Sequence, residues 1–122
     1  MRLFIADMND RVRQRLASIA AGVAGIVVVG EAGEVGEAIG GINRTKPDSV
    51  IVATHMLGGS GLDVLHAAKA TKPTPVIMML SERPCSECRE KFQAMGADYF
   101  FDQSGELKKI VTTLVLLAHK AF

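Results

Sequence analysis

Residues 47–65 of the chain read PDSVIVATHMLGGSGLDVL. Val50–Thr54 is a short run rich in β-branched residues, which predicts a strand buried on both faces. The stretch His55–Gly61 contains three glycines and predicts a loop. The segment from Leu62 to Lys72 has apolar residues at helical spacing, and prolines follow it. The stretch therefore predicts a unit of strand, loop and helix.

The same alternation continues on both sides of this unit. Four further apolar segments predict strands: Arg2–Asp7, Ile26–Val29, Val76–Leu80 and Tyr99–Phe101. Segments of helical spacing separate them. Asn9 is expected to cap the first helix, Pro84 to begin the fourth and Ser104 to cap the last. The chain as a whole predicts the order βαβαβαβαβα.

Short strands that are each joined by a helix must run parallel, because a hairpin cannot connect parallel strands. Right-handed crossovers then place helices on both faces of the sheet. The predicted fold class is α/β, with a doubly wound, five-stranded parallel sheet. We expect residues 1–122 to form a single domain.

Composition narrows the classes of function. Hydrophobic residues make up 48% of the chain and the formal net charge is +1, so nothing favours binding to nucleic acid or to an anionic membrane. The longest apolar run is far too short to span a bilayer. Neither a signal peptide nor a disulfide framework is expected, and both points favour a cytoplasmic protein.

In a doubly wound sheet, chemistry sits at the carboxyl ends of the strands. Around those ends the sequence resembles the receiver domains of response regulators in two-component (phosphorelay) signalling. The resemblance covers essentially the whole chain and is carried by residues 28–32, 47–52, 61–65, 75–79 and 96–102. It implies the flavodoxin-like strand order 2-1-3-4-5.

Receivers of this type phosphorylate themselves on an aspartate with the help of Mg²⁺. The resemblance implies that Asp7 keeps the first acidic metal position, while Met8 replaces the second acid with a thioether, a poor ligand for Mg²⁺. Ala53 occupies the phospho-acceptor position. Leu80 occupies the hydroxyl position and Gln103 the lysine position. We therefore expect no catalytic residue, no cofactor and weak Mg²⁺ binding at most.

Two details follow from this mapping. Met8, Ala53 and Leu80 are expected to pack together over the strand ends, with Ser81 beside Leu80. Neither Asp48 nor Asp102 is expected to replace the acceptor, because the first lies at the wrong end of its strand and the second should point away from the site.

Phe100 matches the family's switch aromatic. The resemblance implies that it stays fixed as part of a constant interaction face, and buried core packing is the alternative. The expected protein is a degenerate, stand-alone receiver (a pseudo-receiver) and not an enzyme. It would act as a monomer or homodimer by binding a protein partner, such as a histidine kinase or a downstream effector.

Cys85-Ser86-Glu87-Cys88 is a C-x-x-C motif at a predicted helix start, where a thiolate is favoured. A small thiol redox or metal-binding protein is therefore an alternative function, although a second ligand pair at zinc-like spacing is missing. A nucleotide-binding domain of flavodoxin-like fold is another alternative. A third is a receiver that a non-covalent ligand still switches.

Overall fold

A computed structural model describes residues 1–120 of the chain. Five strands form one parallel sheet, and each is followed by a helix. The elements of the amino-terminal half are β1 (Arg2–Ala6), α1 (Asp10–Ala21), β2 (Val27–Ala32), α2 (Val35–Thr45) and β3 (Ser49–Ala53). After β3 come β4 (His55–Met56), β5 (Gly59–Ser60), α3 (Gly61–Lys69), β6 (Val76–Ser81), α4 (Ser86–Ala94), β7 (Tyr99–Asp102) and α5 (Leu107–Ala118).

The strand order is β2-β1-β3-β6-β7, and all neighbours in the sheet are parallel. Since β4 and β5 form a separate two-stranded pair, the five long strands follow the predicted order 2-1-3-4-5. The predicted fold class is confirmed. The pair β4–β5 was not predicted, because two residues per strand leave no periodic pattern to detect.

Alternate strand residues face two separate hydrophobic clusters, as expected for a sheet covered on both faces. One cluster joins the sheet to α2, α3 and α4, and the other joins it to α1 and α5. On β6, for example, Ile77 and Met79 belong to the first cluster, whereas Met78 and Leu80 belong to the second. Ala53 at the end of β3 departs from this alternation, because it and its neighbour Val52 both belong to the first cluster.

The predicted helix boundaries were partly right. Asn9 caps α1 by accepting hydrogen bonds from the amides of Arg11 and Val12. Ser104 does not cap α5, because its amide and hydroxyl both donate to Asp102 Oδ1. Pro84 lies outside α4, which begins at Ser86. Among the described residues, no helix is long and apolar enough to cross a bilayer.

Candidate functional site

The carboxyl ends of the strands meet at one edge of the sheet, here called the strand-end site. Ala53, the last residue of β3, lies beside Leu80 of β6. Asp7 directly follows β1, and Gln103 directly follows β7. The amide of Gln103 donates to the carbonyl of Ser81 at 2.7 Å, so strand pairing continues into the site. This edge therefore holds four of the positions mapped from the sequence: Asp7, Ala53, Leu80 and Gln103.

Asp7 is a buried carboxylate, with 5% of its surface exposed. Burial is the main cause of the rise in its pKa, and the nearby charge of Glu82 adds to that rise. The Asn9 amide, which donates to Asp7 Oδ1 at 2.9 Å, and the charge of Arg13 oppose it. Burial thus disfavours the ionised form of Asp7, and keeping this charge in the folded state costs stability.

Asp7→Asn is expected to stabilise the protein at neutral pH. A carboxyl whose pKa is raised on folding contributes its full stabilisation of the folded state below its unfolded pKa. That stabilisation is lost as the pH rises through the folded pKa. The free energy of unfolding at pH 7 in metal-free buffer should rise by about 1 kcal/mol, and the gain should shrink in acid. Urea unfolding of Asp7→Asn, with the exposed Glu90→Gln as control, measures this difference. Equal gains in both variants would contradict the explanation.

Arg13 reaches from α1 into the strand-end site. Its Nη1 donates to the backbone carbonyl of Asp7 at 2.7 Å, and its Nη2 lies 2.5 Å from Asp10 Oδ1. Its Nε lies 3.5 Å from Glu31 Oε1. A guanidinium thus supplies positive charge next to the buried carboxylate. Sequence reasoning missed this residue, although the Asp10-Arg13 spacing indicated an ion pair on one helix face.

The end of β3 is tightly packed against the start of α3. Ala53 is 6% exposed, and the amide of Gly61 donates to the carbonyl of Thr54 at 3.0 Å. A Cβ atom at Gly61 would lie 2.1 Å from the carbonyl oxygen of Ala53 and 2.9 Å from Met79 Cε. Only glycine fits this position, a requirement that the sequence alone did not show.

The loop after β3 is tied to its neighbours. The amide of Val35 donates to the carbonyl of Leu57 at 2.9 Å, and the amide of Leu57 donates to the carbonyl of Gly33 at 3.3 Å. Ser60 and Asp63 form a capping box at the start of α3. The glycine-rich segment is therefore held at both ends, where the sequence predicted only a turn.

The predicted apolar cluster of Met8, Ala53 and Leu80 is wrong. Met8 is 40% exposed. Ala53 belongs to the hydrophobic cluster beneath α2, α3 and α4, whereas Leu80 belongs to the cluster beneath α1 and α5. Although Ala53 and Leu80 are partners in the register of β3 and β6, they pack into different clusters, so shared apolar character did not bring the three residues together.

Polar groups occupy the remaining side of the edge. The Ser81 hydroxyl donates to the carbonyl of Arg83 at 2.8 Å. Gln103 borders an open depression together with Arg11 and Arg15 of α1. The positive charge near the lysine position therefore comes from α1 and not from β7.

The two other aspartates occupy structural positions. Asp48 lies before β3, at the amino end of the strand, and its Oδ2 accepts from the Arg2 amide at 2.7 Å. Asp102 is 8% exposed, and its Oδ1 accepts from Ser104. Both carboxylates accept hydrogen bonds from backbone amides.

Phe100 lies in the core and does not form part of the exposed face. Its position is therefore the one described by the alternative interpretation, buried core packing. The residue is 3% exposed, and the centroid of its ring lies 5.9 Å from that of Phe92. The guanidinium carbon of Arg89 stands 5.2 Å from the ring centroid. Arg89 also donates to the Phe100 carbonyl and to Glu106 Oε1, both at 2.6 Å. Arg89 thereby covers the aromatic residue and links α4, β7 and α5.

Glu106 joins this network at the start of α5. Hydrogen bonds from Lys109, from the Asp102 amide and from Arg89 lower its pKa to about 2, against an opposing effect of burial. The group therefore stabilises the folded state above its unfolded pKa, and this stabilisation is lost as the pH falls toward 2.

Glu106→Gln is expected to flatten the acid limb of the stability curve. The variant should lose about 1 kcal/mol at pH 7, because the ion pairs are partly solvated. The difference from the parent should disappear between about pH 4.5 and pH 2, in the window set by the lowered pKa. Thermal unfolding at several pH values measures this effect. A constant difference across that range would show that the charge of Glu106 is not its cause.

The structure joins Cys85 and Cys88 by a disulfide bond. The bond spans the first turn of α4 and links no distant elements. A bond between residues this close does not form a disulfide framework. The sequence analysis did not predict the local bridge itself.

Comparisons with known proteins place the chain in a family. The response regulator receiver domain family matches residues 3–115. The chain belongs to this family. With the receiver domain of the putative response regulator NarL from Mycobacterium tuberculosis, it shares 20% identity and a TM-score of 0.86 over 98% of this chain and 97% of that one. With the response regulator domain of Thermotoga maritima CheB the values are 20% and 0.81, over 97% and 92%.

Curated relatives are protein-glutamate methylesterases/protein-glutamine glutaminases by name. The protein-glutamate methylesterase/protein-glutamine glutaminase 1 of Carboxydothermus hydrogenoformans is 34% identical over 93% of this chain and 34% of its own length. A relative of the same name from Xanthomonas axonopodis pv. citri is 37% identical over 81% of this chain and 28% of its own length. The chain thus spans about a third or less of the curated relatives it matches.

Proposed function

We propose that this chain is a receiver-type signalling module that works through protein–protein contacts and forms no aspartyl phosphate. Ala53 carries the proposal. It ends the central strand β3 at the position where the family resemblance implies the nucleophile, and a methyl group cannot accept a phosphoryl group. The two aspartates considered as substitute acceptors, Asp48 and Asp102, are held in other hydrogen bonds.

The metal position supports the same proposal. Mg²⁺ prefers several hard oxygen ligands in octahedral geometry. Asp7 supplies one buried carboxylate, whereas the next residue, Met8, supplies a half-exposed thioether. This donor set does not fit Mg²⁺, and Arg13 already places a cation beside Asp7.

Packing around the switch aromatic supports a single signalling state. Phe100 is buried under Arg89, and the loop after β3 is bonded to the loop before α2. Without a phosphoryl group there is no differential binding energy to shift these contacts. The module would present a constant face on α4, β7 and α5 to a histidine kinase or a downstream effector. The methylesterase activity in the relatives' names is not assigned to this chain.

Treatment with acetyl phosphate and Mg²⁺ tests the proposal. The intact mass of the folded chain should stay unchanged, under conditions in which a receiver with an acceptor aspartate gains one phosphoryl group. A phosphoryl group that is released by hydroxylamine, as acyl phosphates are, would overturn it. Mapping that group to Asp48 or Asp102 would identify the substitute acceptor.

A further inference from the structure

Cys85 and Cys88 are the only cysteines of the chain. Cys85 is the N-cap residue of α4, and Cys88 lies in the first helical turn. Their Cα atoms are 5.2 Å apart, within the range that a disulfide requires, and the Cys88 amide donates to Cys85 Sγ at 3.1 Å. The helix itself therefore aligns the two sulfurs.

The pair is accessible from solvent. Both cysteines are partly exposed. They line an open pocket beside the strand-end site, together with His55, Ser81, Glu82, Arg83 and Pro84. An external thiol can approach along this pocket, because disulfide exchange depends on access to one of the bonded sulfurs.

The bridge adds little of the usual stabilisation of a structural disulfide. That stabilisation grows with the length of the loop that the bond closes, and here only two residues separate the cysteines. A bond of this kind directly constrains one helical turn. The effect of the bond is therefore expected in the first turn of α4.

That turn supports the network around Phe100. Arg89 follows Cys88 directly, and its guanidinium bonds the Phe100 carbonyl and Glu106. Cys88 itself packs against the hydrophobic cluster that contains Phe100. The first turn of α4 is thus in direct contact with residues that join α4 to β7 and α5.

We propose that Cys85 and Cys88 form a reversible thiol–disulfide site whose oxidised state holds the first turn of α4. The reductant is a dithiol. One of its thiolates bonds to a sulfur of the bridge, and the Cys85–Cys88 bond breaks. The released thiolate takes up a proton. The second thiol of the reductant then closes its own disulfide and releases the other cysteine, so that two electrons pass to the pair.

Redox titration of the full chain tests the site. Samples are equilibrated with reduced and oxidised dithiothreitol at varied ratios, alkylated with iodoacetamide and weighed by intact mass spectrometry. Zero or two alkylated cysteines are expected, while circular dichroism shows an intact fold. Amides of residues 86–92 should exchange hydrogen roughly tenfold faster in the reduced form, because local opening becomes easier.

Cys85→Ser is the matched variant, because serine keeps an N-cap acceptor and removes the bridge. Its amide exchange in α4 should match that of the reduced parent and should not respond to the redox buffer. Two results would overturn the proposal. One is a bridge that forms or opens only when the whole chain unfolds. The other is equal exchange of α4 in both redox states. Neither result depends on phosphorylation, so the proposed function stands or falls separately.

Discussion

A variant that carries Ala53→Asp, Met8→Asp and Gln103→Lys is expected to accept phosphate, although the parent does not. The first change supplies a carboxylate nucleophile at the end of β3. The second adds a hard oxygen ligand next to Asp7, and the third adds a cation for the phosphoryl oxygens. After incubation with acetyl phosphate and Mg²⁺, its phosphorylated fraction should exceed the background signal of the parent at least roughly tenfold, as measured by intact mass.

The matched control carries Ala53→Asn with the same two other changes, which keeps the size of the side chain and removes the nucleophile. It should stay unlabelled. Leu80 is left unchanged, because its side chain is buried in the cluster beneath α1 and α5. A folded triple variant that remains unlabelled would show that the strand-end site differs from an acceptor site in more than these positions. Labelling of the control would place the phosphate elsewhere.

Gly61→Ala is expected to destabilise the protein more than any other single change considered for this chain. The added Cβ would stand 2.1 Å from the carbonyl oxygen of Ala53. That oxygen belongs to the central strand β3, which pairs with β1 and β6, so it cannot move without disturbing the sheet. The free energy of unfolding should fall by about 3 kcal/mol, the upper end of typical overpacking costs. The melting temperature should fall by roughly 10 °C.

Gly40→Ala serves as the control for the loss of a glycine. Gly40 lies inside α2, and a Cβ atom there would meet nothing within 4 Å. Alanine favours a helix over glycine, so this variant should gain about 0.5–1 kcal/mol. Urea unfolding of both variants gives the comparison. A Gly61→Ala protein as stable as the parent would mean that α3 can move away from β3, and the account of a rigid strand-end site would fail.

The sequence predicted the fold because the fold depends on local patterns. Strand segments such as Val50–Thr54 are continuous apolar runs, helices repeat apolar residues every three or four positions, and parallel connection follows from their order. The identity of the residue at position 53 needed no structure either. Boundaries were less certain: Ser104 has the chemistry of a cap but bonds Asp102, and Pro84 lies before α4.

The sequence by itself determined the α/β sheet, its strand order through the family resemblance, and the presence of alanine where that resemblance implies an acceptor aspartate. Only the tertiary structure decided what surrounds that alanine. Leu80, the register partner of Ala53, packs into a different hydrophobic cluster, and α1 brings Arg13 to Asp7. The start of α3 presses Gly61 against β3. These contacts join residues from different elements, and their geometry depends on register and helix docking, which no local pattern encodes.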